Sequence, residues 1–224
     1  MIKLIVFDMA GTIINENNVV YKTLRKAINC QGYNFSLDEV LIYGAGKEKH
    51  QAIKDILNSK NLNHTLNDVS LTIFKDFSEL LKISYENLVV EAFPKTEELL
   101  EKLKEKGVKI VLNTGYNRET ALQLLSKLNW EVGKQYDALI TASDVEKGRP
   151  AADMINKAME MFNILNAEHI VKIGDSIIDI EEGKTANCGI TIGVTTGAHT
   201  EEQLKSANPT YIINSLTEIT QILF

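Results

Sequence analysis

The chain has 224 residues, of which 44% are hydrophobic and 24% charged, and its 24 Lys and Arg against 30 Asp and Glu give a net charge of −6. These values are typical of a soluble globular protein and exclude a disordered or fibrous chain. The acidic balance disfavours nucleic acid as a partner, and the two cysteines, Cys30 and Cys188, form no metal or redox motif. The apolar run from Leu4 to Phe7 is too short for a signal peptide or a membrane span, so we expect a cytoplasmic protein with no membrane partner.

Short apolar runs that end in small or polar residues predict the strands of one sheet. The runs cover residues 2–7, 108–112, 138–141, 170–173 and 190–194. Amphipathic stretches between them predict helices over 94–106, 117–128, 151–162 and 177–187. Strands that alternate with helices predict an α/β fold of the Rossmann-like type, a parallel sheet with helices on both faces. In such sheets ligands bind beyond the carboxyl ends of the strands.

One segment, 16–87, interrupts this alternation. It has helical patterns at 19–30, 36–41, 47–57 and 65–83, and it has no convincing strand. His64, in a polar joint between two of these helices, is expected to be structural. The sequence therefore predicts an α/β core of residues 1–15 and 88–224 and an inserted all-helical cap of residues 16–87. Such a cap could cover the carboxyl edge of the sheet and exclude water from a site there.

Chemically suggestive residues follow four of the predicted strands. They are Asp8 after the first, Thr114 after the second, Arg149 beyond the third, and Asp175 and Asp179 after the fourth. A carboxylate can attack phosphorus only if a cation and fixed hydrogen-bond donors cancel its repulsion with the phosphoryl oxygens. Carboxylate oxygens suit Mg²⁺, a threonine hydroxyl can donate, and a guanidinium binds oxyanions in a bidentate manner.

In order and in spacing, these four motifs resemble those of the haloacid dehalogenase superfamily over essentially the whole chain. The resemblance implies a Mg²⁺-dependent hydrolase in which Asp8 is the nucleophile and is transiently phosphorylated. It also implies that Thr114 binds the phosphoryl group and that Arg149 supplies the positive charge for which the family commonly uses lysine. Lys147, two residues earlier, is the alternative cation if Arg149 is an ordinary surface residue.

The same resemblance implies the ligands of the Mg²⁺ ion. They are the Asp8 carboxylate, the backbone carbonyl of Ala10, and Asp175, with Asp179 binding the metal directly or through water. An exposed acid on a helix is the alternative interpretation of Asp179.

Ala10 departs from the pattern of most phosphomonoesterases in the superfamily, which carry an aspartate at this position as general acid. Its carbonyl can still bind a metal, but ester cleavage loses its usual proton donor. The form Asp-X-Ala-Gly-Thr resembles phosphonoacetaldehyde hydrolase, which cleaves a carbon–phosphorus bond after a cap lysine condenses with the substrate aldehyde to an imine.

The segment 44–50 resembles the cap loop of that enzyme, with Lys47 at the imine-forming position and His50 at a nearby histidine. Thr114-Gly115-Tyr116 also resembles it, which implies that Gly115 and Tyr116 bind substrate together with His50. A solvated surface lysine is the alternative interpretation of Lys47, and a packing role is that of His50.

Other positions differ from the same family. Asn18 and Tyr43 replace a cysteine and a methionine of its pattern, and the segment 194–199 is more similar to phosphonatase-like hydrolases.

Three hypotheses follow for the function. The first is cleavage of the C–P bond of phosphonoacetaldehyde through a Schiff base on Lys47. The second is hydrolysis of a small phosphate monoester similar to phosphoglycolate, and the third is a non-catalytic regulator that binds phosphate. In each the ligand is a small phosphorylated or phosphonate compound, and a homodimer is one alternative for the oligomeric state.

Overall fold

The computed structural model of the protein describes residues 1–60, 66–86 and 88–224. His64 and the residues 61–65 and 87 of the predicted cap range lie outside the described residues. In the described part, the strands in chain order are β1 (Leu4–Asp8), β2 (Ile14–Asn15), β3 (Glu91–Ala92), β4 (Lys109–Thr114), β5 (Ala138–Thr141), β6 (Ile170–Gly174), β7 (Ile190–Val194) and β8 (Tyr211–Ile213).

The helices described in the same ranges are α1 (Val19–Cys30), α2 (Leu37–Gly44), α3 (Lys49–Asn58), α4 (Leu66–Glu86), α5 (Thr96–Glu105), α6 (Arg118–Lys127), α7 (Asp153–Met161), α8 (Ile177–Thr185), α9 (Glu201–Ser206) and α10 (Ile219–Leu223). Helices α5 to α8 alternate with the strands as predicted, and α9 and α10 are additional to the predicted helices. No helix of the described ranges is both long enough and apolar enough to span a bilayer.

The main sheet has the strand order β5-β4-β1-β6-β7-β8, and every pair in it is parallel. This confirms the predicted Rossmann-like α/β fold. The sequence also predicted each of its strands except β8, and it missed the short antiparallel pair of β2 and β3.

Strand β1 lies at the centre of the sheet between β4 and β6. Its side chains alternate between the two faces, with Leu4 and Val6 in the core beside α7 and Ile5 and Phe7 in the core on the opposite face. A strand with parallel neighbours on both sides is covered on both faces, which is why the run is apolar throughout. Each buried aliphatic or aromatic side chain contributes about 2 kcal/mol, so the register of β1 and hence the position of Asp8 at its end are firmly set.

The chain leaves the sheet after β1 and returns to it through the pair of β2 and β3, in which Ile14 lies opposite Ala92 and Asn15 opposite Glu91. The described residues between these two strands form helices α1 to α4 and no strand. We propose that these helices form the cap predicted for residues 16–87, and we refer to them as the helical insertion.

Helix α3 of the insertion begins two residues later than the sequence predicts. Glu48 is its N-cap, and its carboxylate accepts hydrogen bonds from the backbone N–H groups of His50 (2.9 Å) and Gln51 (2.9 Å). An N-cap residue has a non-helical backbone, so the helix starts at Lys49 and Lys47 precedes it.

Candidate active site

Asp8 ends strand β1 and is buried, with 5% of its surface exposed. Its Oδ1 accepts a hydrogen bond from Nη1 of Arg149 at 2.7 Å, and its Oδ2 lies 3.5 Å from the hydroxyl of Thr12. The predicted nucleophile is therefore held by a guanidinium on one side and has a loosely bound oxygen on the other. This geometry leaves one carboxylate oxygen available for a further partner.

The predicted metal ligands Asp8, Asp175 and Asp179 lie together. One carboxylate oxygen from each falls within 4.8 Å of the others, and all three residues are buried. Parallel strands β1 and β6 carry the first two to the same edge of the sheet, and Asp179 lies in the first turn of α8, which follows β6.

Burial raises the pKa of Asp8, and the neighbouring charge of Asp179 raises it further. Burial and then the charge of Asp8 raise the pKa of Asp175 well above its ordinary value. Asp179 behaves differently: burial alone would raise its pKa, but the charges of Arg149 and Lys172 hold it below the usual range. The pKa of Asp8 is raised despite its contact with Arg149, because burial and the charge of Asp179 outweigh that contact. Asp179 is paired with both Arg149 and Lys172, whereas Asp175 has no ion pair among the described residues.

Arg149 is completely buried in its side chain and lies between acids. Besides Asp8, its nitrogens are 3.0 Å from Asp179 and 3.1 Å from Glu182, and Nη2 donates to the carbonyl of Asn113 at 2.9 Å. The alternative cation, Lys147, is exposed. The planar guanidinium thus contacts several partners at once with nitrogens held in a fixed geometry.

Lys172 is a second buried cation that the sequence reasoning missed. It lies within β6 with none of its side chain exposed, and its Nζ is 2.8 Å from Asp179 Oδ1 and 2.9 Å from Asn113 Oδ1. A lysine inside an otherwise apolar, buried strand is the signal that could have identified it, because an unpaired buried ammonium is very costly.

The buried acids outnumber the buried cations in contact with them. Among the described residues, Asp8, Asp179 and Glu182 form ion pairs only with Arg149 and Lys172, and Asp175 forms none. A divalent cation between Asp8 and Asp175 would balance the excess, and carboxylate oxygens are the ligands that Mg²⁺ prefers. The donor set therefore fits the predicted metal ion.

Thr114 ends β4, and Gly115 follows it beside the insertion. Thr114 is buried, and its hydroxyl oxygen accepts a hydrogen bond from the N–H of Tyr116 at 3.2 Å. A Cβ on Gly115 would lie 2.7 Å from the carbonyl oxygens of both Gly46 and Lys47. The position therefore needs glycine, because the backbone of the insertion passes directly over it.

A small cavity of about 10 Å³ beside Asp8 collects most of the predicted site residues. Its lining comprises Asp8, Ala10, Tyr21, Gly46, Lys49, Thr114, Gly115, Tyr116, Arg149 and Asp175. Neither Lys47 nor His50 is among these residues. Lys49, Tyr21 and Gly46, which the sequence reasoning did not single out as site residues, are.

Lys47 and His50 contact other parts of the insertion. The ammonium of Lys47 pairs with Asp55 at 2.5 Å. His50 Nε2 is 3.1 Å from the hydroxyl of Ser70, and its ring packs on Phe74 with the centroids 5.4 Å apart.

A second cavity, of about 270 Å³, lies between the insertion and the core and shares Lys49, Gly115 and Tyr116 with the first. Its apolar wall comes mainly from α4, and its polar wall comes from α6 and the residues before it. Its lining includes Glu48, Phe74, Phe77, Leu81, Tyr85 and Asn117.

The fold and this buried acidic centre define an α/β protein with a candidate metal-binding active site. Residues 2–187 match the model of the haloacid dehalogenase-like hydrolase family, and the chain belongs to that family. The resemblance found in the four sequence motifs is thereby confirmed.

Two relatives align with nearly the whole chain. Phosphonoacetaldehyde hydrolase of Latilactobacillus sakei subsp. sakei (strain 23K) is 27% identical over 257 aligned positions, covering 99% of this chain and 95% of that protein. Pyrophosphatase PpaX of Oceanobacillus iheyensis is 26% identical over 222 positions, covering 99% and 97%. The crystal structure of a phosphonoacetaldehyde hydrolase-like protein from Oleispira antarctica superposes with a TM-score of 0.85 at 20% identity, covering 99% of this chain and 91% of that one. At 20% identity, the similarity to this crystal structure shows a shared fold and nothing further.

Proposed function

We propose that this hydrolase is Mg²⁺-dependent, forms an aspartyl phosphate on Asp8, and cleaves the C–P bond of a small phosphonate aldehyde such as phosphonoacetaldehyde. The observation that carries the proposal is the composition of the cavity beside Asp8. It has Ala10 where an ester-cleaving relative has a general acid, and it has a buried lysine of the insertion in its wall. The cavity thus supplies an amine instead of a proton donor.

An amine solves the chemical problem that a phosphonate presents. Condensation with the substrate aldehyde forms a C=N bond and releases water, and the protonated imine withdraws electrons from the adjacent carbon. Asp8 Oδ2 then attacks phosphorus, the C–P bond breaks, and its electron pair moves into the C–C bond to give an enamine. Protonation at carbon and hydrolysis of the imine return the amine and release acetaldehyde, while a second water hydrolyses the aspartyl phosphate to phosphate.

Residues around Asp8 would stabilise the charges of this reaction. Arg149, 2.7 Å from Asp8, can move to the phosphoryl oxygens as the carboxylate is consumed, and Thr114 can donate to the same oxygens. Mg²⁺ held by Asp8, the Ala10 carbonyl and Asp175, with Asp179 directly or through water, would neutralise the repulsion between the carboxylate and the substrate.

The decisive experiment is a substrate panel with release of inorganic phosphate as the measurement. It should include phosphonoacetaldehyde, phosphoglycolate and pyrophosphate, with wild type and the Asp8→Asn variant at saturating Mg²⁺. We expect release from phosphonoacetaldehyde by wild type alone. Turnover restricted to phosphoglycolate or pyrophosphate would contradict the proposed C–P cleavage.

Hydrolysis of a phosphate compound is the second candidate function. Within this candidate, Ala10 bears on whether the substrate is a phosphate monoester or pyrophosphate. A monoester such as phosphoglycolate releases an alkoxide and needs a proton donor, which water would have to supply. Pyrophosphate releases a phosphate group, which ionises near neutral pH and leaves without such a donor. Ala10 and the similarity to PpaX therefore favour pyrophosphate over an ester within this alternative.

A further inference from the structure

Two lysines flank Glu48, and their surroundings differ sharply. Lys47 has 23% of its side chain exposed and is paired with Asp55, whose carboxylate is also partly exposed. Lys49 has only 6% of its surface exposed, and its Nζ donates to the backbone carbonyl of Lys47 at 2.6 Å. Its ammonium has no ion pair among the described residues and is left with a neutral partner.

Aromatic rings enclose the Lys49 ammonium. Its Nζ lies 5.1 Å from the ring centroid of Tyr21 and 5.0 Å from that of Tyr116. Tyr21 belongs to the insertion and Tyr116 to the core, so the lysine is held at the boundary between the two. Ring faces stabilise a cation without forming a directional bond, so the nitrogen lone pair remains available after deprotonation.

The backbone that carries Lys49 is anchored at several points. The N–H of Gly46 donates to the Tyr21 hydroxyl at 2.9 Å, and the carbonyl of Gly46 accepts from Arg149 at 3.5 Å. The Gly46–Lys47 backbone also packs directly on Gly115. With Glu48 capping α3 immediately afterwards, the loop fixes which of the two lysines faces the core.

Lys49 lies in the wall of both cavities, the small one beside Asp8 and the 270 Å³ one between α4 and α6. A substrate whose phosphorus is near Asp8 would extend its organic group past Lys49 toward the larger cavity. In that cavity the hydroxyls of Tyr85 and Tyr116 are buried and have no hydrogen-bond partner of standard geometry in the part of the chain that the structure describes. They are suited to bind an oxygen of a substrate.

We propose that Lys49, and not Lys47, is the amine that condenses with the substrate carbonyl. This inference rests on the function proposed above and names the nitrogen that forms the C=N bond in it. Lys47 acts through its ion pair with Asp55, which joins the loop before α3 to the helix itself.

The burial of Lys49 also suits an amine that must lose its proton. Burial lowers its pKa to about 8, against the opposing charges of Glu48 and Asp8. At pH 7 about one molecule in ten then carries the neutral amine, compared with fewer than about one in a thousand for a lysine of ordinary pKa.

Borohydride trapping distinguishes the two lysines directly. The Asp8→Asn variant should accumulate the imine, because without the nucleophile the C–P bond of the bound substrate cannot be broken. We would incubate this variant with phosphonoacetaldehyde and borohydride and locate the adduct by peptide mass spectrometry. We expect the reduced adduct on Lys49. Added to Asp8→Asn, Lys49→Gln should abolish the adduct, whereas Lys47→Gln should leave it in place. Lys54→Gln is the control and should also leave it in place, because Lys54 belongs to the same helix and lines neither cavity.

Steady-state kinetics of lysine variants that keep the native Asp8 give the second measurement. Lys49→Gln should lower kcat on phosphonoacetaldehyde by about 10³-fold or more, whereas Lys47→Gln should change it by less than about 10-fold. Circular dichroism of each variant tests that it is folded, and Lys49→Met, which preserves the apolar stem, repeats the test if the glutamine variant is not.

The outcomes separate this inference from the function on which it rests. Phosphate release from phosphonoacetaldehyde with the adduct on Lys47, or with full activity in Lys49→Gln, overturns the role of Lys49 and leaves C–P cleavage intact. Phosphate release from pyrophosphate or phosphoglycolate alone, with no adduct on any lysine, overturns the proposed function and the role of Lys49 with it.

Discussion

At the scale of single residues, the environment of a side chain decides its chemistry more than its type does. Asp8 and Asp179 are both buried aspartates of one acidic centre, yet the pKa of the first is raised and that of the second is lowered. Burial raises the pKa of both, but the charges of Arg149 and Lys172 together outweigh it at Asp179, whereas at Asp8 the charge of Asp179 adds to the effect of burial. Sequence motifs predict both aspartates as site residues, but they carry no information on which of them a distant strand residue will neutralise.

Asp8→Asn should abolish phosphate release without lowering stability. The amide cannot act as the nucleophile. Its neutrality removes the cost of burying a charge at this position and the repulsion with neighbouring carboxylates, the two effects that raise the pKa values of Asp8 and Asp175. We expect activity below about 10⁻³ of wild type and a melting temperature in metal-free buffer equal to or above that of wild type. A large drop in melting temperature would mean that the Arg149 contact outweighs this repulsion.

Glu16 provides a test of pH-dependent stability outside the acidic centre. It is buried beside the first turn of α1, where burial raises its pKa to about 7 while a hydrogen bond from the Val20 N–H partly opposes the shift. The folded pKa lies above the unfolded value of 4.5, so the stabilising contribution of the protonated form is complete below about pH 4.5 and is lost as the pH rises through 7.

Urea unfolding of wild type and Glu16→Gln should therefore diverge with pH. Relative to the variant, wild type should lose about 3 kcal/mol of unfolding free energy between pH 4 and pH 8, as an upper estimate from the shift in pKa. The exposed Glu91→Gln serves as the control and should show no such trend. Parallel curves for Glu16→Gln and wild type would rule out the raised pKa.

At the scale of elements, the sequence predicts well what long patterns encode and poorly what a few residues decide. The strands of four or more residues were all predicted, since their apolar runs are complete, whereas β8 has three residues and β2 and β3 have two each. The start of α3 was misplaced for a related reason: one side chain, Glu48, ends the loop and begins the helix. Lys47 therefore precedes the helix, and Lys49 is its first residue.

Glu48→Ala should show that this cap positions the site. Loss of an N-cap costs about 1 kcal/mol, and it also frees the first turn of α3, where Lys49 lies. We expect a modest fall in melting temperature together with at least about a 10-fold loss of kcat/KM. Glu39→Ala removes the capping-box acid of α2 at a similar local cost, and it should leave kcat/KM unchanged because α2 carries no residue of the small cavity.

Gly115→Ala tests the contact between the β4 turn and the insertion. The added methyl group would lie 2.7 Å from two carbonyl oxygens, so the insertion must move outward by several tenths of an ångström or more. We expect at least about a 10-fold loss of kcat/KM with little change in circular dichroism. Gly148→Ala, whose Cβ would meet nothing within 4 Å, is the matched control. Equal activity of both variants would contradict the tight contact.

At the scale of the whole molecule, a continuous network of buried charges connects the central strands, α8 and the loop that carries Arg149. Its excess of carboxylates destabilises the protein without metal and predicts that Mg²⁺ stabilises it. At about 100 times the dissociation constant, bound Mg²⁺ adds about 2.7 kcal/mol, or roughly 5 to 10 °C in melting temperature for a chain of this size.

Differential scanning calorimetry with and without Mg²⁺ measures this effect. Asp175→Asn should lose the increase, whereas Glu181→Gln, an exposed acid on α8, should retain it. An increase that survives in Asp175→Asn would place the ion elsewhere.

The ribbon of β2 and β3 has a consequence for how such proteins diversify. Because Ile14 and Ala92 lie side by side, the chain departs from the sheet and rejoins it at neighbouring points. The segment between them is therefore an insertion that does not alter the strand order or the register of the main sheet. Exchange of the insertion between relatives would therefore replace Lys49, Tyr21 and the α4 wall of the larger cavity, and it would keep Asp8 and Asp175 at the edge of the sheet.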